Sequence, residues 1–154
     1  MPNTYTQLHI HCVFAVKYRA ALIQPEWEER LHKYITGIIS KNGHKLLAIN
    51  SATDHIHMFM GLNPNQSISE IMRLVKGHSS EFINKVKLTM NKFHWQEGYG
   101  AFSHSHSQID QVVKYIQNQK EHHLKKTFLS EYINLLENFG ISYNEKYIFN
   151  ELIE

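Results

Sequence analysis

The stretch Asp54-His55-Ile56-His57-Met58-Phe59-Met60-Gly61-Leu62, DHIHMFMGL at 54–62, is an apolar run that carries two histidines one residue apart. Side chains on a strand alternate between faces, so Ile56, Met58 and Met60 fall on one side and His55 and His57 on the other. A strand that only filled a core would carry Val or Ile where the histidines stand. Two imidazoles at i and i+2 sit roughly 6–7 Å apart at Cα and can lean together onto one metal ion. The competing reading is a hydrogen-bonded pair on a polar sheet face, and the pattern alone leaves both open.

Working outward, HKLLAINS (44–51) reads as a strand, and its short link to 54–62 predicts an antiparallel pair. YTQLHIHCVFAV (5–16) alternates as a half-buried strand. Leu8, Ile10, Cys12, Phe14 and Val16 point one way, and Gln7, His9 and His11 the other. Between these strands, Pro25 suits a first helical turn, and Trp27, Leu31, Tyr34, Ile35 and Ile38 follow at helical spacing. Gly43 suits the stop. Ser67 and Glu70 form a capping box for a helix expected to run to about Met90, with Ile68, Ile71, Met72, Val75, Phe82 and Val86 on its apolar face. HWQEGYGAF (94–102) reads as a last strand. A helix capped by Ser105 or Ser107 should then run to about Lys120, and another over roughly 127–138 places Leu129, Ile133 and Leu136 on one side.

The order is β-α-β-β-α-β followed by two helices. It predicts an α+β chain with a ferredoxin-like (RRM-like) antiparallel sheet. The reading is one domain over 1–154, with a core at 5–120 and a C-terminal helix and tail at 121–154. In that fold the first and third strands are central neighbours, so His9 and His11 would share a face with His55 and His57. They read either as groups supporting those histidines or facing DNA, or as a plain polar face.

The chain has 154 residues, 12 of them histidine, one cysteine and a formal net charge of +2. A single cysteine excludes an internal disulfide framework and a Cys-based zinc site, and a reducing cytoplasm is expected. No signal-peptide pattern is present and no apolar window is long enough to span a membrane. The weak net charge leaves the placement of basic residues to decide about nucleic acid. Arg73, Lys76 and Lys87 lie opposite the apolar face of the second helix, with Lys17 and Arg19 elsewhere. Such a stripe can track phosphates, or it can be a solvated helix face. On the helix SQIDQVVKYIQNQKEHH, Tyr115 lies off the apolar centre beside Gln119, which is i+4 and hence a neighbour. His122 continues that flank. A tyrosine nucleophile suits a phosphodiester target, but its phenol needs a cation to polarise the phosphate.

Together these motifs resemble the single-tyrosine HUH transposases of small bacterial insertion sequences, a superfamily that takes in REP-associated tyrosine transposases. Asp54-His55-Ile56-His57 resembles the His-hydrophobe-His motif, and Tyr115-Ile116-Gln117-Asn118-Gln119 the helix with the catalytic tyrosine. Lys17-Tyr18-Arg19, Leu74-Val75-Lys76-Gly77-His78-Ser79-Ser80 and Trp95-Gln96-Glu97-Gly98-Tyr99 resemble further landmarks, so that the likeness spans about 5–147. The resemblance implies an enzyme that cuts single-stranded DNA at element ends marked by hairpins. Tyr115 would form a 5′-phosphotyrosine link, and the freed 3′-OH would later rejoin strands without any nucleotide cofactor. His55, His57 and Gln119 would be metal ligands; imidazole and amide donors without thiolate suit Mg²⁺ or Mn²⁺. Lys17, Arg19, Arg73, Lys76 and Lys87 would contact DNA, and His9, His11 and His122 would stand behind the ligands. The resemblance also implies a homodimer whose active sites pair the histidines of one subunit with the tyrosine of the other. A replication initiator, relaxase or domesticated hairpin-repeat transposase is the nearest alternative. A non-catalytic nucleic-acid module on the same sheet would instead present stacking aromatics.

Overall fold

The alternation in DHIHMFMGL is realised in a computed structural model that describes residues 3–121 and 127–144. The elements are β1 (His9–Ala15), α1 (Pro25–Lys41), β2 (Lys45–Ser51), β3 (His55–Gly61), α2 (Ile68–Val86), β4 (Gly100–His104), α3 (Ile109–Gln117) and α4 (Phe128–Asn138). The strands form one antiparallel sheet in the order β2-β3-β1-β4. This is the ferredoxin-like arrangement, with β1 and β3 central.

One face of the sheet carries Ile10, Cys12, Phe14, Ile56, Met58 and Met60. Against it α1 packs Leu31, Ile35 and Ile39, and α2 packs Ile71, Met72, Val75 and Ile83. Cys12 belongs to this core, and burial pushes its thiol up to about 12, so it is a small apolar filler rather than a nucleophile. The other face was expected to be half polar and open. Instead α3 covers Phe59 with Val112 and Ile116, and α4 covers Val13, Ala15 and Phe102 with Phe128 and Leu136. Every residue from Ile10 to Ala15 is consequently buried.

Three element ends also differ from expectation. α2 stops at Val86 because Lys87 takes a left-handed cap with φ 62°. The last strand begins only at Gly100; residues 94–99 are irregular, tied by a bridge from Trp95 to Val16. Asn84 clasps both backbone groups of Phe93, and Trp95 Nε1 donates to Ser79 Oγ at 2.8 Å, so the polar side of α2 fastens this segment. The tyrosine helix ends at Gln117, turns at Asn118 and is helical again at 119–121. The tail from residue 145 onward lies outside the described residues. Among the described residues no helix is long and apolar enough to cross a membrane.

Two glycines should respond oppositely to alanine. A Cβ on Gly100 would stand 2.8 Å from the Tyr132 ring of α4 and 3.0 Å from Phe102. Gly100→Ala is therefore expected to cost about 1–3 kcal/mol, as overpacking does. Gly77 sits exposed inside α2 with nothing within 4 Å of a Cβ, so Gly77→Ala should stabilise by about 0.5–1 kcal/mol. Urea unfolding midpoints measure both; equal signs would contradict this packing.

Candidate active site

β3 carries His55 and His57 to the face under α3 and α4, where both are fully buried. A second polar group orients each ring. His55 Nδ1 lies 2.7 Å from Asp54 Oδ1, and His57 Nδ1 lies 2.8 Å from His11 Nε2 across the β1–β3 ladder. Phe128 stacks on the His55 ring at 3.7 Å between centroids, nearly parallel. Both Nε2 atoms are thereby turned to one point.

α3 closes that point from above. Asn50 Nδ2 donates to the carbonyls of Ile116 (2.9 Å) and Gln117 (3.0 Å), at the end of α3. Lys120 Nζ reaches Glu28 Oε1 at 2.6 Å and Asn50 Oδ1 at 3.0 Å. These contacts seat Tyr115 and Gln119 over the histidines of their own chain. The Tyr115 ring is 5.8 Å from that of His57 and edge-on to it.

The centre of the cluster is a residue that the sequence reading did not single out, Glu131 of α4. Its Oε1 accepts from His57 Nε2 at 3.0 Å and lies 3.5 Å from His55 Nε2; its Oε2 accepts from the Tyr115 hydroxyl. Gln119 Nε2 donates to both carboxylate oxygens at 3.0 Å. Glu131 was legible in principle. Phe128, Glu131, Tyr132, Leu135 and Leu136 follow i, i+3, i+4, i+7 and i+8, so a carboxylate interrupts an apolar stripe. The expected face of Leu129, Ile133 and Leu136 is rotated from the one that is buried.

Charge follows from this geometry. Burial would raise the Glu131 carboxyl, but hydrogen bonds from His55, His57 and Tyr115, with the charge of His57, hold it well below the usual carboxylate range. Burial first, then the Glu131 charge and hydrogen bond, pushes the Tyr115 phenol up. Burial lowers His55 too, yet its bonds to Asp54 and Glu131 outweigh that and raise it. His11 is driven well below its ordinary value by burial and by His57 and His104. A neutral His11 can accept from His57 Nδ1, so that His57 without its Nε2 proton would offer that lone pair to a ligand.

The donor set fits a divalent cation. His55, His57 and Glu131 offer atoms within 4.8 Å of one another, the group of this kind found among the described residues. Gln119 Oε1 is buried and has no hydrogen-bond partner among the described residues, and a turn of the amide, whose Nε2 now faces Glu131, would bring that oxygen to the cation. Beside Tyr115 a cavity of about 610 Å³ opens, lined by His11, His104, Gln108, Gln111, Glu131 and Phe139 among others. It gives a substrate a way to the phenol.

The remaining expected site residues are dispersed. His9 stands apart from the cluster, tilted against Phe59 and His106 at about 6 Å. Lys17 and Arg19 follow β1 in a 3-10 turn at the His55 end of the sheet, where Ala15 pairs with His55; Tyr18 and Arg19 both have positive φ. Arg73 and Lys76 belong to α2, which packs on the opposite sheet face and which Lys87 follows. Arg73 makes a forked pair with Glu70, and Lys76 Nζ donates to the carbonyls of Gln96 (2.6 Å) and Gly98 (2.8 Å). Lys87 is the left-handed cap of α2. His122 lies outside the described residues.

A His-x-His strand faced by a tyrosine helix on a ferredoxin-like sheet defines a single-tyrosine HUH enzyme. The sequence pattern of the family described as "Transposase IS200 like" matches residues 4–119, and the chain belongs to that family of DNA transposases. It is 27% identical over 121 residues to the ISDra2 transposase TnpA of Deinococcus radiodurans, covering 75% of this chain and 86% of that one. It is also 27% identical over 143 residues to the transposase for insertion sequence element IS200 of Salmonella typhimurium, covering 88% and 89%. Two solved structures share the fold. One, from Deinococcus radiodurans R1 and described as a candidate transposase, superposes with a TM-score of 0.63 at 24% identity over 76% of this chain and 94% of its own. The other, a REP-associated tyrosine transposase bound to a REP hairpin, gives 0.61 at 12% identity over 99% and 92%.

Proposed function

We propose that this transposase cleaves and rejoins single-stranded DNA through a 5′-phosphotyrosine link at Tyr115, with Mg²⁺ or Mn²⁺ held by His55, His57 and Gln119. One observation carries the reading: the hydroxyl of Tyr115 and Nε2 of His57 meet on the same carboxylate, so nucleophile and metal-type ligands converge on one point. The cation, when bound, supplies Lewis-acid polarisation of the scissile phosphate and stabilises the departing 3′-oxygen. His11 and Asp54 keep the two imidazoles aimed, and Phe128 excludes water from one side of His55. Tyr115 Oη forms a bond to phosphorus as the P–O3′ bond breaks. One phosphodiester replaces another, so the step needs no nucleotide cofactor and reverses when a 3′-OH attacks the link.

Hairpin recognition follows from the family resemblance, and a relative of the same fold is seen with a REP hairpin. Lys17 and Arg19, at the His55 end of the sheet, are the best-placed of the expected cations to hold backbone phosphates near the reacting one. A non-catalytic stacking platform is disfavoured because α3 and α4 bury the sheet face it would need. The homodimer implied by the resemblance is compatible with two sites each built within one chain; exchange of α3 would convert them to shared sites.

The test is covalent trapping. A labelled single-stranded oligonucleotide carrying an element-end hairpin, incubated with the protein and Mg²⁺, is expected to give a denaturant-resistant protein–DNA adduct. Chelation should remove the adduct and a fully duplex version should not form it. Adduct formation that ignores chelation would defeat the metal part, and equal yield from the duplex would defeat single-strand specificity.

A further inference from the structure

We infer that Glu131 is an additional protein ligand of the cation, one that joins it to Tyr115 and thereby links cation binding to the docking of α4. The inference rests on the cation reading above and goes beyond the ligand set implied by the family resemblance, because Glu131 lies outside the matched segment 4–119.

Four features carry it. Glu131 is buried, yet among the described residues no Lys or Arg pairs with it; its ion pairs are to His55 and His57. A buried carboxylate on which two imidazole nitrogens and an amide converge sets an anionic oxygen where a cation held by those imidazoles would sit. Its two oxygens have different partners: Oε1 is shared between the Nε2 atoms of both histidines, and Oε2 takes the Tyr115 hydroxyl. A cation taken up by the histidines on Oε1 therefore leaves Oε2 to hold the nucleophile. An oxygen anion added to two imidazoles and an amide oxygen also favours Mg²⁺ and Mn²⁺ over softer metals. Finally, Glu131 sits one turn into α4, three residues from the Phe128 that stacks on His55, so the ligand and the helix's packing share one anchor. If only docked α4 supplies the carboxylate, cation and helix must strengthen each other by one common factor.

The test uses the full chain and Mn²⁺ alone, with free Mn²⁺ followed by electron paramagnetic resonance. Glu131→Gln keeps the shape and one acceptor oxygen but removes the charge. It is expected to weaken Mn²⁺ binding by about tenfold or more, since even an outer-shell partner is worth that much. In the wild-type chain Mn²⁺ should slow amide hydrogen exchange of α4 by a comparable factor, and in Glu131→Gln it should not. Unchanged or tighter Mn²⁺ binding by Glu131→Gln, with His57→Ala defective, overturns the inference and leaves the cation reading standing. Wild-type affinity in His57→Ala as well overturns both. Should Glu131→Gln fail to fold, wild-type exchange decides: α4 amides indifferent to saturating Mn²⁺ overturn the link.

Discussion

Tyr115→Phe is expected to abolish the covalent protein–DNA adduct while leaving hairpin binding intact. The substitution removes one oxygen and almost no volume, so α3 keeps its packing through Val112 and Ile116. What is lost is the only atom of residue 115 that can bond to phosphorus, and removal of a nucleophile typically lowers turnover by about 10⁴–10⁶-fold. Stability should fall only modestly, by about 1–3 kcal/mol at most, because Glu131 keeps donors from His57 and Gln119. A denaturing gel with labelled single strand reads the adduct, and a mobility shift reads hairpin binding. An adduct at normal yield from the Phe variant would remove Tyr115 from its role. Suspicion would then fall on Tyr99, which is exposed, or Tyr132, which packs over Gly100.

The sequence made part of this site legible and hid the rest for identifiable reasons. Strand parity placed His55 and His57 opposite Ile56 and Met58, because a period of two follows from backbone geometry alone. Helical spacing put Gln119 beside Tyr115 in the same way, and the turn at Asn118 does not undo it. The burial of that sheet face was not legible. It depends on α3 and α4 folding back, a tertiary fact that periodicity within each element cannot express. Nor was the setting of Lys76 legible: its ammonium holds the carbonyls of Gln96 and Gly98, in a segment whose path across α2 no local pattern reveals. Glu131 was hidden by a one-residue choice of face on α4. Grouping Leu129 with Ile133 gave an ordinary amphipathic helix, whereas grouping Phe128 with Leu135 exposes an acid on the apolar stripe. Such an acid is costly unless paired, and that cost is the signal to follow in a sequence.

His57→Ala is expected to lose most Mg²⁺-dependent cleavage, though less completely than Tyr115→Phe and for a different reason. It removes the imidazole whose Nε2 lies closest to the shared carboxylate oxygen, at 3.0 Å against 3.5 Å for His55, and strands His11 and Glu131 without a partner between them. Loss of an electrostatic stabiliser of this kind costs about 10²–10³-fold in rate. Gln119→Ala should be milder, and excess Mn²⁺ should partly restore it, because mass action offsets a weaker site. The two defective variants also test where the site is assembled. Asn50 and Lys120 clip α3 to the sheet of the same chain, which places Tyr115 over that chain's histidines. A mixture of His57→Ala and Tyr115→Phe, exchanged to randomly paired dimers, is then expected to stay inactive, since each chain's site keeps one defect. Sites shared across a twofold dimer would behave otherwise. Half the dimers would be mixed, each with one intact site and one doubly defective site, and about a quarter of wild-type cleavage would return. Recovery to that level, with exchange verified by differently tagged subunits, would show that the tyrosine helix crosses to the partner and that the one-chain site is not the cleaving one.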